Sequence, residues 1–258
     1  MPRPLRALVT AGNTQTPIDR VRCVTNIFTG RTGARLALEA HDRGHEVTLL
    51  TSHPRVVEEL RPGFAPADRW RVVPYRTFDE LHVELIRLIP AGGFSAILHA
   101  AAVSDYALAG VYAPLAGAEF DAAECRWVGD GPHPHLDEVG RGKVKSSHPE
   151  VWLRMVPTPK LVDRMRSPWG FGGVLVKFKL EVDVTDEELL AVARRARAQS
   201  DADFLVANTL DGYESVAFLV DRADGVERLD RTELPRRLWE RVEEVVFGER
   251  RGVSPPVK

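Results

Sequence analysis

What most constrains this chain is its opening stretch, where a short strand runs into a long polar loop and the loop into a helix. Ala7-Leu8-Val9 is an apolar run after a basic lead-in. The loop holds two glycine turns, Thr10-Ala11-Gly12-Asn13-Thr14 and Thr29-Gly30-Arg31-Thr32-Gly33, and Ala34 to Ala40 reads as helix. Strand, loop and helix in that order is how a nucleotide-binding α/β unit begins. The G-x-G-x-x-G fingerprint is absent. These turns still suit an anion, because a missing Cβ lets backbone amides approach a phosphate and the following helix adds a favourable dipole.

The alternation continues. Arg35 to Arg43 reads as helix with Gly44 as its stop, and Glu46 to Leu50, Arg71 to Tyr75 and Phe94 to His99 read as strands. Phe78 to Ile89 has helical spacing at Leu81, Leu85 and Leu88. Later strands are expected at Val151 to Val156, Val174 to Phe178 and Asp203 to Ala207, and helices at Thr185 to Gln199 and Glu233 to Phe247. Ser215 to Val220 and Glu227 to Leu229 predict a hairpin around Asp224-Gly225. The expected fold is α/β: a Rossmann-like three-layer αβα sandwich with a mostly parallel central sheet and a late antiparallel hairpin. One domain is expected over 1–250, interrupted at 107–142 by an Ala-, Gly-, Pro- and Asp-rich insertion that reads as a long loop or small excursion. Residues 251–258 read as a frayed tail.

Several function classes are disfavoured. A net charge of −2 provides no basic field for nucleic acid or a membrane surface. No apolar run approaches the roughly 20 residues of a membrane span, and the N-terminus lacks a signal core, so a cytoplasmic protein is the expectation. Cys23 and Cys125 form neither a metal-like spacing nor a disulfide framework, although one bond between them stays open. His133, His135 and His148 with Asp130 and Asp137 read as a solvated loop ahead of a metal site. No nucleophile elbow points to acyl hydrolysis.

Four further stretches carry chemistry. Ala100 to Tyr106 follows a strand's C-terminal end, where small residues such as Ala102 leave room for a ligand and Asp105 can hold Mg²⁺ or a nucleotide group. The same alanines also suit tight helix–sheet packing. Gly142-Lys143-Val144-Lys145-Ser146-Ser147 places a point charge beside hydroxyls, fit for a triphosphate or simply a solvated turn. In Lys177-Phe178-Lys179-Leu180-Glu181, Phe178 is either a surface for a nucleobase or a core residue. In Val206-Ala207-Asn208, Asn208 either faces a ligand or caps the turn.

Taken in order, these stretches resemble the phosphopantothenoylcysteine synthetases, the ligases of coenzyme A synthesis. The match runs through Thr10-Ala11-Gly12, Pro17-Ile18-Asp19, Val21-Arg22, Asn26, Thr29-Gly30 and Gly33, then the Ala100 to Tyr106, Lys143, Met155 to Pro159, Phe178 and Asn208 stretches. The resemblance implies a ligase, without the family's flavin-dependent decarboxylase domain, that joins 4′-phosphopantothenate to L-cysteine through an acyl-nucleotide. It implies CTP or ATP as co-substrate, Mg²⁺ to offset triphosphate charge, and a homodimer in which one subunit completes the other's site. It assigns Asn26 and Lys143 to catalysis, Gly12, Thr29, Gly30, Gly33, Ala102, Asp105 and Phe178 to the nucleotide, Asp105 also to the metal, and Arg22 and Asn208 to the substrate.

Nucleotide choice divides. The opening stretch is closer to bacterial, CTP-using members, whereas Phe178-Lys179-Leu180-Glu181 is similar to the eukaryotic, ATP-using ones as well as to some bacterial ones. Three departures stand out. Asn13 replaces a family glycine, a change that Asn's tolerance of left-handed backbone would absorb. Ile27-Phe28-Thr29 replaces a small serine-rich turn, and 36 residues separate Tyr106 from Lys143 where the family link is much shorter. They keep a catalytically diverged nucleotide-binding relative in play. A nicotinamide- or flavin-dependent reductase is disfavoured, because no acidic residue closes Leu50-Thr51-Ser52 to take a ribose hydroxyl.

Overall fold

Strands that are apolar on both faces need a layer of helices on each side, and the computed structural model of the chain has that arrangement. It describes residues 3–66, 68–129, 135–140 and 142–251. In chain order the elements are β1 (Arg6–Ala11), β2 (Gln15–Pro17), β3 (Cys23–Thr25), α1 (Arg31–Asp42), β4 (Glu46–Thr51), α2 (Val56–Leu60), β5 (Trp70–Pro74), α3 (Phe78–Gly92) and β6 (Ala96–His99). Then come β7 (Tyr106–Pro114), β8 (Ala118–Asp121), β9 (Arg126–Gly129), β10 (Leu136–Glu138), β11 (Trp152–Pro157), β12 (Val174–Glu181), α4 (Asp186–Gln199), β13 (Phe204–Thr209), β14 (Val216–Asp221), β15 (Val226–Asp230) and α5 (Leu234–Arg251). Eight strands form the central sheet in the order β15-β14-β13-β12-β6-β1-β4-β5. β5 to β13 run parallel across it, and β14 and β15 close one edge as the expected antiparallel hairpin.

Alternation along β1 shows the layering. Ala7, Val9 and Ala11 point into one core with α1, α2 and α5, while Leu8 points into the other with α3 and the 161–171 segment. α5 is fastened to α1 by Trp239, whose indole N–H donates to the Leu36 carbonyl at 2.8 Å. Capping boxes begin α3 at Thr77/Glu80 and α4 at Thr185/Glu188, each satisfying donors that a helix start leaves free. Among the described residues no helix is long and apolar enough to cross a membrane.

Two regions depart from the sequence reading. Of the two readings of the insertion, its described residues favour the excursion over the loop: β7 pairs with β10 on one side and with β11 on the other, and β8 and β9 make a hairpin of their own. The Val151 to Val156 run is therefore a strand of this arm and not of the central sheet. Phe120, Trp127 and Trp152 form the arm's own apolar centre, with ring centroids 4.7–5.5 Å apart. The second departure is β2–β3, a short hairpin inside the opening loop. Cys23 and Cys125 are both free and exposed, which closes the disulfide alternative. His133, Asp130 and the tail beyond Arg251 lie outside the described residues.

Candidate active site

From β1 the sheet grows outward through β4 and β5 on one side and through β6, β12 and β13 on the other. Such a reversal opens a crevice at the strands' C-terminal ends, where open α/β sheets take ligands. Two adjoining clefts lie there and share the wall Ala101, Ala102, Phe178, Lys179 and Leu180.

The first cleft, of about 440 Å³, is rich in cations: Lys160, Lys177, Lys179 and Arg195 line it, against Asp105 and Asp163. Lys160 Nζ donates to Asp105 Oδ1 at 2.5 Å, so the carboxylate read from sequence as a metal or nucleotide ligand carries a lysine partner. Lys177 donates to Ser200 Oγ at 2.6 Å and to the Ala196 carbonyl at 3.0 Å, with Asp163 Oδ1 at 3.5 Å. Burial pushes the Lys177 ammonium below its usual pKa in spite of Asp163. Opposite it, His99 Nδ1 lies 2.9 Å from Thr10 Oγ1, and burial, then the Lys177 charge, push this imidazole down to about 4. His99 is thus a neutral, satisfied residue of the cleft floor. Among the described residues no three His, Cys, Asp or Glu side chains gather as a metal-ligand group.

The second cleft, of about 320 Å³, brings together Gly12, Thr29, Gly30, Ala102, Phe178 and Asn208, six of the residues read from sequence. Phe28 and Tyr213 add an aromatic edge, their centroids 5.9 Å apart, and Arg31 and Arg231 add charge. The glycines have a reason beyond ligand approach. Gly12 and Gly30 have φ of +88° and +84°, and a Cβ on Gly30 would lie 2.2 Å from the Gly12 nitrogen. A Cβ on Gly33 would lie 2.7 Å from Ala11 Cβ and 2.8 Å from the Thr10 carbonyl oxygen. The two turns stack backbone on backbone, and Gly33 lets α1 sit on β1 without lining either cleft.

The remaining sequence-read residues sit at the rim. Asn26 lines neither cleft, but its Nδ2 donates to the Ala102 carbonyl at 3.0 Å, at the seam between the two. Asn13 does not adopt a left-handed backbone. It is accommodated by hydrogen bonds instead: its Nδ2 donates to the Asn26 carbonyl at 2.5 Å and its N–H to Ser52 Oγ at 2.9 Å. Arg22 reaches neither cleft. Its Nη2 bonds Asp19 Oδ2 at 2.5 Å and the Val144 carbonyl at 2.7 Å, while the Val144 N–H donates to Asp19 at 3.1 Å. The Arg22 hydrogen bond holds the Asp19 carboxyl well below the usual carboxylate range. Lys143, next to Val144 on this latch, is exposed and lines neither cleft. Sequence reasoning missed Lys160, Arg195, Tyr213 and Arg231. None of these sits in a short motif, and only the fold brings them to the site.

Residues 3–113 match the family described as DNA/pantothenate metabolism flavoprotein C-terminal domain. The coenzyme A biosynthesis bifunctional protein CoaBC of Thermococcus kodakarensis is 31% identical over 246 residues, 93% of this chain and 51% of that protein. Its counterpart in Methanocaldococcus jannaschii is 24% identical over 249 residues, 93% of this chain and 51% of the relative. The chain thus spans about half the length of the curated relatives it matches. Among solved structures, the DNA/pantothenate metabolism flavoprotein of Streptococcus pneumoniae aligns with a TM-score of 0.73 at 23% identity, covering 93% of this chain and 99% of that one. A Cab2 histidine-to-alanine mutant in complex with phosphopantothenate-cysteine aligns with a TM-score of 0.68 at 17% identity, covering 95% of this chain and 87% of that one. These likenesses establish the Rossmann-like α/β fold.

Proposed function

We propose, on the premise that this chain carries the DNA/pantothenate metabolism flavoprotein C-terminal domain, that it is a phosphopantothenate–cysteine ligase. The observation that carries the reading is the pair of clefts with a common wall at Ala102 and Phe178. A reaction that first couples an acid to a nucleotide and then hands it to an amine needs two adjoining sites with the reacting atoms at their seam.

The substrate carboxylate attacks the α-phosphorus of CTP or ATP, pyrophosphate leaves, and an acyl-nucleotide forms. The cysteine amine then attacks the acyl carbon, the amine loses a proton, and the nucleoside monophosphate departs. Asn26, already directed at Ala102, is suited to donate to the acyl oxygen as charge develops there. The cations of the first cleft favour polyphosphate. Phe178, in the shared wall, offers a face to the base or acyl arm, with Gly12, Thr29, Gly30 and Asn208 on the far side. Asp105 is the carboxylate that would hold a Mg²⁺ arriving with the nucleotide, where the ion offsets phosphate charge. Few protein ligands suffice for such an ion, because the phosphates supply the rest.

Arg22 and Lys143 enter this reading through a second copy of the chain. The Arg22 guanidinium is fixed on the Asp19–Val144 latch away from its own clefts, and Lys143 is exposed beside it. Around that latch Val21, Val24 and Ile27 are 67%, 42% and 84% exposed, an apolar loop that a homodimer would cover. CTP is the preferred nucleotide in this reading, on the likeness of the opening stretch to bacterial members. The test is steady-state pyrophosphate release with 4′-phosphopantothenate and cysteine, run separately with CTP and ATP. Release that depends on the acid and is faster with CTP supports the reading. ATP preference would reverse the nucleotide choice, and release independent of the acid would reject the ligase.

A further inference from the structure

Of the charges in the second cleft, Arg231 alone lacks a counter-charge among the described residues. Arg31 has Glu59 at 3.6 Å and Lys179 has Glu181 at 2.9 Å. Arg231 Nη2 donates to Thr32 Oγ1 at 2.5 Å, a neutral partner, and Nη1 is shut from solvent with no partner at all. Two nearby carboxylates are engaged elsewhere, Glu233 with Arg236 at 3.8 Å and Glu214 with the Tyr213 hydroxyl at 3.0 Å. Burial first, and then the Arg35 charge, press the Arg231 pKa below its ordinary value, and of the neighbouring groups only Tyr213 opposes them.

A half-buried guanidinium whose Nη1 is shut from solvent and meets no carboxylate is a costly arrangement for a stable fold to retain. Its planar fork is, however, the shape that takes two phosphate oxygens at once. Here it stands in the wall of a cleft, at the turn after β15, held by its own N–H donating to the Ser215 carbonyl at 2.8 Å. We propose that Arg231 is a phosphate-binding residue of the second cleft, where a ligand phosphate supplies the missing counter-charge. The phosphate comes from the acyl substrate's phosphomonoester or from the nucleotide. The identity of the carrier rests on the ligase reading, whereas the existence of the anion site does not.

The experiment is calorimetric titration of wild type, R231Q and R231K. The probes are inorganic phosphate, pyrophosphate, 4′-phosphopantothenate, its phosphate-free analogue pantothenate, and CTP. R231Q is expected to weaken the phosphate-bearing ligand of this cleft by at least about 10-fold while leaving pantothenate unchanged, with R231K recovering part of the loss. Loss with phosphopantothenate assigns the phosphomonoester, and loss with CTP assigns the nucleotide. Wild-type affinity of R231Q for every probe would overturn the proposal. So would equal loss of pantothenate together with a lowered ligand-free melting temperature, the signature of a merely structural arginine. If wild type binds phosphate through Arg231 but never forms an acyl-nucleotide, the ligase reading falls and the anion site stands.

Discussion

Two residues divide the proposed chemistry between its half-reactions. Asn26 touches Ala102 at the seam of the clefts, so its loss should weaken the step in which charge develops at the acyl carbon. Asn26→Asp is expected to release one pyrophosphate per site and then stall, because a carboxylate repels the charge that the amide would stabilise. Lys143→Gln should instead suppress pyrophosphate release by roughly 100-fold, the usual scale for removing one electrostatic stabiliser. Rapid-quench measurement of pyrophosphate and nucleoside monophosphate checks both. Equal loss of the two products in both variants would leave the roles unsupported. At this scale the sequence was informative where residues sit in motifs: Gly12, Thr29, Gly30, Ala102, Phe178 and Asn208 converge on one cleft. It was silent on Lys160 and Arg231, whose spacing reveals nothing until β15 joins the sheet edge and the 158–163 segment folds beside the sheet. Asn13 shows a right tolerance with the wrong reason, since a hydrogen bond and not backbone freedom accommodates it.

Elements of the αβα frame were legible because their signals are local: apolar runs for the strands and Leu spacing for α3. The arm was not, because the small Ala and Gly residues of β7 give a weak strand signal and its partners, β10 and β11, come to it from distant positions. A different test belongs to the joint between α1 and β1. Gly33→Ala would press a methyl against Ala11 and the Thr10 carbonyl, at distances real Cβ atoms do not occupy. The expected loss is about 1–3 kcal/mol of unfolding free energy, the cost of overpacking a filled core, read by urea denaturation. A loss below about 0.5 kcal/mol, the scale of an ordinary surface substitution, would mean that the joint is looser than described.

For the molecule as a whole, His99 ties stability to pH. Its folded pKa of about 4 lies below the unfolded value of 6.5, so the unfolded chain binds the extra proton between them. Its contribution is therefore complete above pH 6.5 and is lost as pH falls towards 4, on the order of 3 kcal/mol at the limit. H99N, which keeps a partner for Thr10 but does not titrate, should flatten the decline in unfolding free energy between pH 7 and 4.5. An unchanged slope would remove His99 from the account. Assembly is tested by mixing. If Arg22 serves the partner's cleft, R22A and D105A proteins, each inactive, should regain about a quarter of wild-type activity when refolded together, because half the dimers are mixed and each has one intact site. No recovery would confine Arg22 to its own chain. The central claim, however, is the two-step use of paired clefts, and single-turnover product analysis of wild type tests it most directly. With 4′-phosphopantothenate and CTP but no cysteine, one pyrophosphate per site should appear while the nucleoside monophosphate stays bound as its mixed anhydride with the acid. Adding cysteine should then release it. Pyrophosphate that appears only once cysteine is present, or a nucleoside diphosphate and phosphate in its place, would contradict the account.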